Sequence, residues 1–213
     1  EGLPEKDIEV KRKSLIGEQL ETLTTAIFQK FLINDFIVVR ASRFDDVKNG
    51  IDNIILDKET GDVVCAFDEV SSMREEELSA KRERVLKKNM EKQGSTLEYG
   101  LKLETEGSNK GKIVPCPKIS NIPLFYLALS PEVIRKTIQK FSPDFSYLKA
   151  SEEEKKTFNY FVKLIDFQIA SMDLSGSSAS LNPEIEKKFQ RFKEFSFDKM
   201  KKVVDRLSSG HKI

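Results

Sequence analysis

Three carboxylates stand where a carboxylate is costly. The stretch Phe36–Ser72 holds three apolar, β-branched runs: Phe36–Val39, Ile51–Leu56 and Val63–Phe67. Asp52 lies inside the second run, and Asp68 and Glu69 close the third. Strands that are apolar on both faces belong inside a layered sheet. A charged group there is destabilising unless it is ion-paired or holds a cation. The chemistry in view is therefore cation capture or buried ion pairing, centred on Asp52, Asp68 and Glu69.

These acids need elements to position them. Two turn-rich links, Asp45–Gly50 and Asp57–Asp62, join the three strands. In the second, Lys58-Glu59-Thr60-Gly61-Asp62 predicts a hairpin in which Gly61 takes a positive φ. Upstream, residues 5–31 predict a helix, because Ile16, Leu20, Leu23, Ile27 and Phe31 form one stripe. Glu21 falls at the edge of that stripe and Glu18 nearly opposite it. Downstream, a charged helix is predicted from about Arg74 to Lys92, capped by Ser71 or Ser72, with Glu75 and Glu76 in its first turn. Lys81, Arg84 and Lys88 line one face of it.

Gly94, Gly100 and Gly107 then interrupt the chain, and Glu106–Lys112 reads as a polar loop. Ile113–Pro115 is apolar again, and Ile122–Leu129 predicts a buried fourth strand. Ser130-Pro131-Glu132 opens a helix to about Phe141. Two more helices follow, one from Ser151 and one from Pro183, joined by the link Ser175–Asn182. Their phenylalanines, Phe158 and Phe161 in the first and Phe189, Phe192 and Phe195 in the second, read as packing residues.

Composition narrows the classes. A chain of 213 residues can bury a core without disulfides. Lys plus Arg total 36 against 35 for Asp plus Glu, so only local patches can argue for a nucleic-acid partner. Cys65 and Cys116 read as buried free thiols of a reducing, cytoplasmic compartment. No transmembrane run or signal peptide is present, so no membrane partner is expected. The first residue is Glu1 rather than methionine, which leaves room for a trimmed leader. His211, the one histidine, lies in a polar tail, which argues against a histidine zinc site and a Ser-His-Asp triad. Walker-type loops, dinucleotide glycine loops and Cys-x-x-Cys are absent from the sequence.

The order helix, three strands, helix, strand, with Gly50-Ile51-Asp52 opening strand two and Phe67-Asp68-Glu69-Val70 ending strand three, resembles the PD-(D/E)XK nuclease superfamily over about residues 10–141. The resemblance implies Asp52 and Asp68 as ligands of Mg²⁺ or Mn²⁺. It also implies a first-helix glutamate, for which Glu21 fits by helical face and Glu18 by its place after Gly17. Such ions prefer oxygen donors, neutralise phosphate charge and lower the pKa of an attacking water. The family lysine is missing, however: its position holds Val70, or Ser71 if Glu69 is the acid. Lys81 on the following helix is the expected substitute, with Lys48 the weaker one. Lys48, Arg84 and Lys88 are the expected DNA contacts.

The expected fold is thus α/β: a mixed sheet flanked by helices over residues 1–150, with a C-terminal helical pair over 151–213. The expected activity is metal-dependent hydrolysis of phosphodiester bonds in DNA. Two rivals stand beside it: the same fold binding nucleic acid or a protein partner without catalysis, and an interaction protein, such as a homodimer, that uses its charged helices. Each residue also has a plainer role. Asp52, Asp45 and Asp46 could be turn acids. Asp68 and Glu69 could favour the dipole of the next helix, and the lysines could form a solvated face.

Overall fold

The computed structural model describes residues 5–90, 94–174 and 183–209. Helix α1 (Glu5–Leu32) leads into strand β1 (Phe36–Arg40), a short helix α2 (Arg43–Asn49), β2 (Asn53–Asp57) and β3 (Val63–Val70). Helix α3 (Glu75–Met90) follows, then four short strands: β4 (Ser95–Leu97), β5 (Gly100–Leu103), β6 (Ile113–Cys116) and β7 (Ile119–Ile122). Strand β8 (Leu124–Ala128) returns to the main sheet, and α4 (Pro131–Gln139), α5 (Glu152–Leu174), α6 (Pro183–Arg191) and α7 (Asp198–Ser208) complete the chain. A π-helical turn over Phe192–Phe197 joins α6 to α7.

The fold is mixed α/β. Its main sheet has the order β1-β2-β3-β8. The first three strands pair antiparallel and β8 pairs parallel to β3. The alternation of β3 sends Cys65 and Phe67 into the larger core, with Phe28 of α1 and Phe161 of α5. Ala66 goes the other way, against Val85 of α3. The predicted α1 stripe is buried from Ile16 to Phe31. Phe28 is the hub of that layer, stacked on Phe67 and Phe161 with ring centroids 4.9 and 5.7 Å away. Phe189, Phe192 and Phe197 enter the same core, so the C-terminal helices pack directly on the sheet.

Strand β8 is an edge strand whose open side is closed by two amides. Asn89 of α3 exchanges hydrogen bonds with the main chain of Leu124 (2.8 and 3.0 Å), and Gln168 of α5 does the same with Tyr126 (2.9 and 3.0 Å). A buried edge would otherwise leave peptide groups unsatisfied. A buried ion pair, Lys30 with Glu154, ties α1 to α5. Lys30 Nζ also donates to the Ser142 carbonyl at 2.8 Å, and Glu154 accepts from the N–H groups of Ser142 and Ser151 at 3.1 and 2.6 Å.

Several expectations change. The link Asp45–Gly50 is mostly helix α2. Its turn-like residues are caps: Ser42 Oγ accepts from the Asp45 N–H, and Gly50, at φ 59°, donates to the carbonyls of Asp45 and Asp46. The region between Gly94 and Ile122 contains four strands where the sequence suggested one apolar run and a loop. Each spans three or four residues, too few for a periodicity to emerge. The last helix is broken by the π turn into α6 and α7. Cys116 is half-buried rather than buried, although both thiols are free. The hairpin glycine is as expected, at φ 78°, and a Cβ on it would lie 2.1 Å from the Leu103 carbonyl oxygen. Ser175–Asn182 and His211 lie outside the described residues.

Candidate functional site

The site forms where β2 begins and β3 ends. Asn53 pairs with Phe67, so the antiparallel register sets Asp52, one residue earlier, level with Asp68. The Asp52 N–H donates to the Phe67 carbonyl at 2.9 Å, and Asp52 Oδ2 accepts from the Glu69 N–H at 2.5 Å. Consecutive strand residues point to opposite faces. Asp68 therefore faces α3 and Glu69 faces α1, and Asp52, at the sheet end, meets both.

On the α1 side, Asn53 organises the acids. Its Nδ2 donates to Glu69 Oε1 at 2.8 Å and to the Glu21 carbonyl at 3.2 Å, and its Oδ1 accepts from Thr25 at 2.7 Å. Glu69 Oε2 is buried without a hydrogen-bond partner. Burial first, and then the Asp52 carboxylate beside it, push the Glu69 carboxyl well above the usual range. Burial likewise pushes Asp52 up to about 6, although the N–H bond from Glu69 opposes this. Glu21 is also raised by burial, against the pull of its ion pair with Arg40. The acids thus crowd one another, which disfavours their charged forms.

On the α3 side, Asp68 is ion-paired to two cations, Lys81 through Oδ1 and Arg84 through Oδ2. Its side chain is only 3% exposed, so the pairs form in a poorly solvated place. Lys81 Nζ also reaches the Glu69 carbonyl at 3.2 Å. Lys88 donates to the Asn49 carbonyl at the end of α2. Gly50 makes room for this arrangement: a Cβ there would sit 3.1 Å from Arg84 Nη2 and 3.4 Å from Asp68 Oδ2.

A single cleft of about 520 Å³ collects these groups. Glu21, Asp52, Asp68 and Glu69 line it from α1 and the strand ends, and Lys48, Lys81, Arg84 and Lys88 line it from α2 and α3. Thus α3 presents three of its cations, Lys81, Arg84 and Lys88, about one turn apart, on one side. The structure does not bring Glu18 in. That residue is exposed and lines a separate groove with Leu15, Ile138 and Phe141, because its position on α1 groups it with Leu15 and Thr22. Asp45 also cannot lend an oxygen. It is buried, and it accepts from Ser42 Oγ, Asn49 Nδ2 and the N–H groups of Glu98 and Tyr99, at 2.7, 2.9, 2.8 and 3.2 Å.

Among the described residues, no three acidic, histidine or cysteine side chains are arranged as a ready-made metal-ligand group. The donors that would fit a hard cation are Asp52 and Glu69, because the two meet at the strand ends and Glu69 Oε2 is buried without a hydrogen-bond partner. Sequence reasoning missed Asn53. Its signal was an amide within an otherwise apolar strand, directly after Asp52. No helix among the described residues is long and apolar enough to cross a membrane. Comparison with protein-family models, curated proteins and solved structures finds no match.

Proposed function

We propose that this chain is a PD-(D/E)XK-type nuclease that uses Mg²⁺ or Mn²⁺ to hydrolyse phosphodiester bonds in DNA. The observation that carries this reading is one cleft that brings together clustered carboxylates and a row of cations from α3. Asp52 and Glu69 would hold the ion, with Glu21 beside them to orient water. A bound ion would neutralise phosphate charge and acidify the attacking water. Asp68 would serve as an anchor that aims Lys81 and Arg84 into the cleft. Lys81, reaching in from α3, takes the place of the lysine absent at Val70 and would stabilise charge on the phosphate. Lys48 and Lys88 would contact the backbone on either side.

The test is Mn²⁺ calorimetry on wild type, Asp52→Ala, Glu69→Ala and Asp68→Ala, followed by cleavage of end-labelled DNA. The reading predicts an ion bound by wild type, loss of binding in Asp52→Ala and Glu69→Ala, and ion-dependent cleavage abolished by Lys81→Ala. Failure of wild type to bind the ion, with and without DNA, overturns it. One observation favours a second reading, nucleic-acid binding without hydrolysis: both Asp68 oxygens are committed to Lys81 and Arg84. Affinity for DNA with no cleavage in either ion selects that alternative.

A further inference from the structure

An exposed aromatic pair stands next to Lys48 of α2, a residue that lines the cleft. Phe44 of α2 is 44% exposed, and Tyr99, in the turn between β4 and β5, is 60% exposed. Their rings meet edge to face with centroids 5.6 Å apart. Large aromatics left in water are unfavourable, and a paired set beside a charged cleft is informative. Val47, 78% exposed on the same helix as Phe44, lines the cleft.

The pair is held in place from beneath. Buried Asp45 follows Phe44 directly and accepts from the N–H groups of Glu98 and Tyr99. The same carboxylate caps α2 through Ser42 and Asn49. One acid thus fixes both aromatic segments, so the rings need little ordering when something binds. Lys48 connects the pair to the site: its Nζ lies 5.9 Å over the Phe44 ring, and its side chain lines the cleft.

Exposed aromatic rings next to a cleft lined by cations suit bases that are free to stack and a backbone that carries phosphates. Base pairs in a duplex present only their edges. We propose that Phe44 and Tyr99 form a stacking platform for unpaired bases, so that the partner of this cleft is single-stranded nucleic acid entering over α2. The proposal rests on the nuclease reading for the cleft itself but makes a separate demand on the aromatic pair.

The test is fluorescence anisotropy with a twelve-nucleotide oligothymidylate, the matching oligouridylate and a twelve-base-pair duplex, without divalent ions. The expected result is single-strand affinity at least about tenfold above duplex affinity. Phe44→Ala and Tyr99→Ala should each lose about tenfold, and Tyr99→Phe, which keeps the ring, should bind as wild type. Both residues lie at the surface, outside the buried core, so these variants should fold. The two single-stranded probes decide whether the partner is DNA, RNA or both, and preference for either supports the platform. If duplex binds as tightly and the alanine variants are silent, while Arg84→Ala weakens binding, the platform is overturned and the cleft reading stands. If wild type binds none of the three probes, the platform is overturned, while the cleft reading still stands or falls on ion binding.

Discussion

The main-chain N–H of Glu69 donates to Oδ2 of Asp52 at 2.5 Å, which holds two carboxylates together at one end of the sheet. Burial raises both acids, Asp52 to about 6 and Glu69 well above its usual value, and the Asp52 carboxylate adds to the rise at Glu69. In the unfolded chain they titrate near about 3.9 and 4.3. The folded state therefore binds protons more tightly. Its advantage is complete below about pH 4 and declines as pH rises through 6 and beyond. Glu69→Gln removes one of these titrations while leaving an oxygen for Asn53. We predict that this variant melts above wild type at pH 8 and that the two converge toward pH 4. On the nuclease reading, millimolar Mn²⁺ should raise the wild-type melting temperature at pH 8 and leave that of the variant unchanged. Thermal melts across pH, with and without the ion, check both statements; a variant that melts below wild type at pH 8 contradicts the first.

The Lys30–Glu154 pair offers a different balance. Both side chains are fully buried and well supplied with partners. Removing one member of such a pair leaves the other charged and uncompensated, at a cost of about 3–5 kcal/mol. Lys30→Met is predicted to lose that much in urea denaturation. Lys30→Met with Glu154→Leu should recover a large part of it, because no lone charge remains. A double variant as weak as the single one would show that the pair's hydrogen bonds to Ser142 and Ser151, rather than its charge, hold this corner.

The main sheet was legible because its strands carry strong local signals: apolar runs broken by Gly50 and Gly61. The α4 cap was equally clear, with Ser130 accepting from the Val133 N–H as Ser-Pro-Glu predicts. Where signals overlap, sequence reasoning fails. Asp45-Asp46 and Asn49-Gly50 are turn residues by type, and here they begin and end a helix of only seven residues. In the site, the helical spacing of Lys81, Arg84 and Lys88 placed all three cations correctly on one face. The division of labour between Asp68 and Glu69 was not readable, because it depends on which helix covers which face of β3. Glu18 is a candidate only by its place after Gly17; its helical face, nearly opposite the buried stripe, already points away, and the structure places it in a separate groove.

Asn89 and Gln168 invite a prediction about the sheet edge. Each amide satisfies both the N–H and the carbonyl of one β8 residue. Truncation to alanine leaves those groups without a partner, at about 1–3 kcal/mol each. Asn89→Ala and Gln168→Ala should therefore lower the urea midpoint markedly, and concentration-dependent self-association should appear as the edge opens. Chromatography with light scattering at several concentrations reads the second effect. A destabilised variant that stays monodisperse would mean that the covering helices protect the edge without their amides.

On the nuclease reading, substituting Asp68 should separate binding from turnover. It holds Lys81 and Arg84 through its two oxygens and cancels part of their field. Asp68→Asn keeps the shape and removes the negative charge. On the nuclease reading, the cleft becomes more positive toward phosphates while its aiming group is lost. Affinity for a single-stranded oligonucleotide should then rise severalfold. The slope of log affinity against log salt should steepen by about 0.7 for each additional phosphate neutralised. Cleavage in Mn²⁺ should fall, because Lys81 is no longer anchored beside Glu69. Anisotropy titrations from low to moderate KCl, paired with a cleavage time course, test the two halves independently. Unchanged affinity and an unchanged salt slope would mean that Lys81 and Arg84 serve Asp68 alone and do not face nucleic acid.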